Sequence, residues 1–294
     1  MQTLESLRRR IKNAKDLHSI VKTMKALAAV SIRQYDRAVE ALAEYNRTTE
    51  LGLYVVFSGQ TPEISPEVGA HTGRVAAIVF GSDQGMVGQF NEQIAAYTTD
   101  WLEERAMRRE DVLVLCVGLR VLDRLEDDRW PVEGVMQVPA SATGISAMVQ
   151  ELLLAINTWR SETQVEQVHL FYNRSLSGAS FRPHRVRLLP IDVERLRSLK
   201  TEKWNSRSLP IYTLERERLL AALIRQHLFV LLYRAFAESL ASENASRLTS
   251  MQAAERNIEE RLEELNIHYH NQRQTAITSE LLDIVSGFEV LTSS

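Results

Sequence analysis

No proline or glycine occurs before Gly52, and none occurs between Pro210 and Gly287. Stretches this long and this free of both residues are what a pair of long helices requires. Proline removes a helical hydrogen bond, and glycine raises the entropic cost of ordering the backbone. In the first stretch Leu4, Leu7, Ile11, Ala14, Val21, Met24, Ala28, Ile32, Tyr35, Val39 and Leu42 recur mostly three or four apart, with His18 in the one gap. That spacing predicts a helix of about 50 residues, roughly 75 Å at the helical rise per residue. In the second stretch Met251, Ala254, Ile258, Leu262, Leu265, Tyr269, Gln272 and Ala276 follow the seam of a heptad. They predict a coiled coil in a helix of about 75 residues. A compact domain of about 150 residues offers no face long enough for either helix, so the two must pack on each other. A chain that leaves the first into a domain and returns from it into the second sets them antiparallel.

Between the helices the pattern changes to short apolar runs, Arg74–Phe80, Asp111–Val117, Val135–Val138, Gln167–Tyr172 and Val186–Leu189, which predict strands. Helical stretches at Asn91–Arg105 and Ser146–Trp159 separate some of them and imply βαβ units with a partly parallel sheet. The expected fold class is therefore α/β: a long antiparallel coiled coil of the terminal helices plus a central Rossmann-like α/β domain. Polar segments rich in Pro and Gly, GQTPEISPEVGAHTG and DVERLRSLKTEKWNSRSLP, mark the two junctions. Residues 1–57, 70–208 and 209–291 are the expected divisions.

The stretch GSDQGMVGQFNEQ, directly after the first strand, raises the question of a phosphate cradle. A strand, a glycine-rich turn and a helix is the layout in which backbone amides capture an anion. The spacing is GxxxGxxG, however, which matches neither the dinucleotide fingerprint nor the P-loop, and no lysine follows. A close backbone turn is sufficient reason for the glycines, and such a turn would present Met86 and Val87 outward. A nucleotide-binding α/β enzyme with a coiled-coil appendage is the alternative reading. A coiled-coil tether or nucleic-acid arm is a third.

Charge narrows these. The 35 basic and 38 acidic residues leave a net charge of −3, so no global field draws nucleic acid or an anionic membrane. Any cationic site must be local, and RRRIKNAK with Lys22, Lys25 and Arg33 forms such a rail on the first helix, with few acids near it in sequence. The N-terminal sequence lacks the apolar core of a signal peptide, no window holds about 18 uninterrupted apolar residues, and direct membrane insertion is not expected. The single cysteine, Cys116, lies in an apolar run and reads as a buried, inert thiol. Histidines are scattered without metal-ligand spacing, GxSxG is absent, and the carboxylates of ERNIEERLEEL read as a solvated helix face. No catalytic, cofactor or metal residue is predicted. The end of the second helix is anomalous: Ile277, Leu281, Leu282, Ile284, Val285, Phe288, Val290 and Leu291 surround it instead of marking one stripe. A free end this apolar needs an apolar socket supplied by a partner.

Four segments in order, SIVKTMKALAA at 19–29, GSDQGMVGQFN at 81–91, SENASRLTSMQAAERN at 242–257 and NQRQTAITSELLDIVSG at 271–287, resemble the γ subunit of F-type ATP synthase. The resemblance implies a non-catalytic central rotor stalk. Its coil would turn inside a ring of three α and three β subunits while its α/β domain joins the ε subunit and the membrane c ring. It would couple ion flow to ATP synthesis or hydrolysis in the β subunits. It implies no cofactor and no nucleic-acid partner, and a peripheral place on the cytoplasmic face of a bacterial plasma membrane. Carried over by motif, Met24, Lys25, Arg247, Gln274 and Thr278 are the ring contacts. Leu281, Ile284, Val285 and Phe288 form the tip in an apolar sleeve, and Tyr212 and Glu215 lie on the c-ring side. The turn departs from the family pattern at Met86 and Val87, as does SIRQYD at 31–36, which implies a divergent branch. The linker Asp192–Pro210 holds no cysteine, unlike the thiol switch of chloroplast members.

Overall fold

The computed structural model describes residues 3–59, 73–176, 180–192 and 211–292, apart from the side chains of 57–59 and 287–292. The expected junctions near 70 and 208 lie outside the described residues. Helix α1 spans Leu4–Gly59, and the last helix, α5, spans Arg216–Thr292. Between them run β1 (Arg74–Phe80), α2 (Phe90–Glu104), β2 (Val112–Val117), α3 (Leu119–Asp127), β3 (Val132–Met136), α4 (Ile145–Glu162), β4 (Val165–Ser175) and β5 (Phe181–Leu189). By packing, the chain falls into two compact units: 1–28 with 248–294, and 29–247.

In the larger unit the five strands form one sheet in the order β3-β2-β1-β4-β5, with β1 parallel to both neighbours and β5 antiparallel to β4. The sheet is therefore mixed, as the sequence implied. Strand β1 is central, and every residue after Arg74 is buried, which is why RVAAIVF reads as a continuous apolar run with no alternation. One face packs Val75, Ala77, Val79, Val114 and Cys116 against α2 and α3 through Ile94, Leu102, Val121 and Leu125. The other packs Ile78, Phe80, Val168, Leu170 and Tyr172 against α4 and against residues of α1 and α5, among them Tyr35, Leu232, Phe236 and Leu240. Phe236 meets Phe80 edge-on with ring centroids 4.8 Å apart. By length and composition α5 has a stretch apolar enough to cross a membrane, yet Val230, Leu232, Ala235 and Phe236 are spent on this core. Burial pushes the Cys116 thiol up to about 12, which makes it inert at neutral pH.

Two expectations needed correction. The third strand begins at Val132, just after Pro131, and ends at Met136, so the predicted Val135–Val138 was set too late. Strand β5 begins at Phe181, five residues before the apolar run that announced it, because Pro183, Arg182 and Arg185 interrupt the pattern on an edge strand where such residues are tolerated. Helix α3, LRVLDRLED, is short and charged and was not anticipated.

In the smaller unit, α1 and α5 run antiparallel. Arg8, His18 and Lys25 of α1 meet Tyr269, Glu259 and Glu255 of α5, so the numbering ascends on one helix as it descends on the other. Leu7, Val21 and Ala28 are buried and are separated by multiples of seven, as are Met251 and Leu265 on the partner helix. This is the heptad seam that the sequence predicted.

Candidate subunit-contact surfaces

The glycine turn after β1 is closed by its own side chains. Asp83 accepts from the Leu119 N–H at the start of α3 (3.0 Å) with one oxygen and from the Val138 N–H (2.8 Å) with the other. A carboxylate thus sits at the N-terminus of α3, whereas a phosphate cradle of this layout would use the N-terminus of α2. The Ser82 N–H donates to Asn91 Oδ1, and the Asn91 amide returns a hydrogen bond to Ser82 Oγ, each at 2.9 Å. The glycines serve close approach. A Cβ on Gly81 would stand 2.5 Å from that of Val121, and one on Gly118, whose φ is 106°, would stand 2.7 Å from the Ser82 nitrogen. At the tip Met86 is 56 % exposed with a φ of 61°, a conformation that costs a side-chain-bearing residue on the order of 1 kcal/mol. Val87 is not presented outward as expected: it is buried, and its carbonyl accepts from Ser246 Oγ of α5.

The ionic groups of the helix pair are matched across the seam. Lys25 pairs with Glu255 and His18 with Glu259 (3.2 Å), while the Arg8 Nε–H donates to the Tyr269 hydroxyl (2.9 Å). The cationic rail is therefore partly neutralised by acids more than 200 positions away in sequence, a compensation that a local reading of RRRIKNAK missed. Arg9, Arg10, Lys12, Lys15, Lys22 and Arg33 keep exposed side chains.

Among the described residues, both long helices carry exposed apolar side chains. On α1, Leu17, Ile20, Leu27 and Val30 are 50–62 % exposed and lie three and seven apart, a stripe distinct from the buried seam. On α5 every described side chain from Arg273 to Ser286 except Ala276 is exposed, including Leu281, Leu282, Ile284 and Val285 at 53–68 %. Contiguous apolar surface of this kind marks a place that another molecule covers.

The profile of the ATP synthase family matches residues 3–291. The ATP synthase gamma chain of Anaeromyxobacter sp. (strain Fw109-5) is 31 % identical over 99 % of this chain and all of its own length. The chain belongs to the ATP synthase gamma-chain family. The gamma chain of Chelativorans sp. (strain BNC1) is 29 % identical over the same share. Among solved structures, a chain of the Euglena gracilis mitochondrial ATP synthase shares the fold with a TM-score of 0.65 at 17 % identity, covering 98 % of this chain and 94 % of that one.

The residues expected at gamma-chain contacts fall into different environments. Gln274 and Thr278 are exposed on the uncovered part of α5, with the Thr278 hydroxyl donating to the Gln274 carbonyl (2.9 Å). Met24 and Lys25 are half-buried, the latter engaged by Glu255. Arg247 is 9 % exposed and turned to its own helix: it donates to Glu243 (2.7 Å) and to Asn244 (3.4 Å). Burial raises the Glu243 carboxyl, the Arg247 charge opposes this, and Asp83 adds to it. Leu281, Ile284 and Val285 are exposed, and the side chain of Phe288 lies outside the described residues. Tyr212 and Glu215 are exposed ahead of α5 beside Ile211 and Leu214, two apolar side chains at 91 % and 58 % that the sequence reading passed over. Their signal was present: three of the five residues 211–215 are apolar or aromatic in a segment bounded by a proline and a helix start.

Proposed function

We propose that this chain works as the central rotor stalk of an F-type ATP synthase, a non-catalytic subunit whose rotation couples ion flow to ATP synthesis or hydrolysis. Its partners are the ring of three α and three β subunits, the ε subunit and the membrane c ring. The observation that carries the reading is the end of α5, which continues past its pairing with α1 and exposes a broad apolar face of Ile277, Leu281, Leu282, Ile284 and Val285. Such an end is stable in water only inside an apolar sleeve, and a sleeve must also allow it to turn. Smooth, non-directional apolar contact meets both needs, because it has no hydrogen-bond register to break at each step. Leu281, Ile284, Val285 and Phe288 are the bearing surface.

Met24, Lys25, Arg247, Gln274 and Thr278 lie at the ring contacts. A shaft biases a catalytic site only through contacts that differ between orientations. Gln274 and Thr278 are positioned for direct contact. Arg247 acts by holding the buried Glu243 and so the local course of α5. Tyr212 and Glu215, with Ile211 and Leu214, face the c ring. The chain is a peripheral part of the synthase at the membrane, and bacterial relatives support the cytoplasmic face of a plasma membrane.

A nucleotide-binding enzyme is not favoured, because Gly81 and Gly118 are accounted for by close packing and the turn carries a carboxylate, Asp83, but no lysine. Copurification from the native host tests the reading. An affinity-tagged chain is expected to bring down α, β and ε in fixed ratio together with ATPase activity. Recovery of the chain alone, or saturable micromolar binding of ATP or NADH by the isolated chain, would refute it.

A further inference from the structure

We propose that His18 of α1 with Glu255 and Glu259 of α5 forms a binding site for a divalent transition-metal cation of the zinc class, which staples the two helices of the coil. One imidazole nitrogen and two carboxylate oxygens, one from each residue, lie within 4.8 Å of one another. His18 Nε2 stands 3.2 Å from Glu259 Oε1. Two ligands on a tetrahedral zinc at about 2.0–2.1 Å are about 3.4 Å apart, so this edge of the polyhedron is already formed. Glu255 and Glu259 are one helical turn apart on the same face, and the heptad packing of α1 against α5 brings His18 between them. The set is sheltered by the seam: the side chains of His18 and Glu255 are 27 % and 15 % exposed, while Glu259 at 58 % leaves an entry for the ion and its remaining water ligands. One imidazole and two carboxylates suit zinc or nickel, whereas magnesium prefers an all-oxygen shell.

Lys25 is the competitor. It holds Glu255 and must release it for the ion to bind, so the cation and the ammonium are alternative partners of one carboxylate. This yields a signature that a plain ion-pair network lacks, because removing Lys25 should strengthen zinc binding while it weakens the pairing of the helices.

Calorimetric titration of the full chain with zinc chloride, and with magnesium chloride as control, tests the site. One equivalent of zinc is expected to bind, with the thermal midpoint rising as the site fills. His18→Gln and Glu259→Gln should each weaken binding on the order of tenfold or more. Lys25→Met should tighten it, and His268→Gln with His270→Gln should leave it unchanged. Helicity by circular dichroism is held to the wild-type value for each variant. Absence of zinc binding tighter than about 1 mM, equal binding of magnesium, or wild-type affinity in the Glu259→Gln and His18→Gln variants would overturn the proposal.

Discussion

Replacing Asp83 tests what the glycine turn is for. In Asp83→Ala two backbone N–H groups lose a charged acceptor: that of Leu119, which is solvent-accessible, and that of Val138, which is partly buried. Water replaces the first at a cost of about 1 kcal/mol, and the second is left poorly solvated at about 2 kcal/mol. The lost charge at the α3 N-terminus adds a few tenths of a kcal/mol. Relief of the repulsion between Asp83 and Glu243 acts in the opposite direction, and it ranks last among the influences on Glu243. The net loss is about 3 kcal/mol. In urea, with a slope of about 2–3 kcal/mol per M, the unfolding midpoint of the larger unit should fall by about 1 M or slightly more. Asp83→Asn keeps one acceptor oxygen and should lie between the alanine variant and wild type. A fall below about 0.2 M for Asp83→Ala would show that the carboxylate does not close the turn. A midpoint that rises saturably at low phosphate concentration in the wild-type chain would show that an anion binds at the turn, which would return the nucleotide-binding reading.

Arg247→Ala should destabilise the isolated chain by about 3 kcal/mol by chemical denaturation, because it strands the buried Glu243, whereas Gln274→Ala should leave the fold unchanged. Both should lower ATPase activity in a reconstituted complex; wild-type activity in Gln274→Ala would remove that residue from the coupling contacts. Ile284→Asp should preserve helicity and abolish assembly with the ring, and intact assembly on native gels would contradict the sleeve. Phe236→Ala should cost about 3–5 kcal/mol, read as a lower unfolding midpoint, since the ring is buried edge-on against Phe80. His184 is held below its usual 6.5, first by burial and then by Arg174. A depressed histidine contributes stability that is present above the unfolded value and lost as pH falls through the folded one. The thermal midpoint should therefore drop on going from pH 7.5 to below 6.5 by more in wild type than in His184→Gln, and equal drops would exclude His184 as a source.

Sequence by itself determined the elements whose cause is local. The absence of Pro and Gly, the heptad spacing of Met251 and Leu265 and the unbroken apolar run of β1 are short-range patterns, and each folds as its periodicity implies. The exposed apolar end of α5 was legible for the same reason, since a helix has a fixed number of faces and these residues occupy more than one. Tertiary structure decided the pairings between distant residues. Nothing near Lys25 in sequence indicates Glu255, and nothing near Asp83 indicates the amides of Leu119 and Val138. Burial of Arg247 and of Val87 is likewise set by what packs over them, because a charged or apolar side chain carries no local record of its neighbours. The turn therefore read as presenting Val87 outward and the basic rail as having few acids near it. Periodicity specifies which face of an element is apolar, whereas the partner that meets it is chosen by topology across the whole chain.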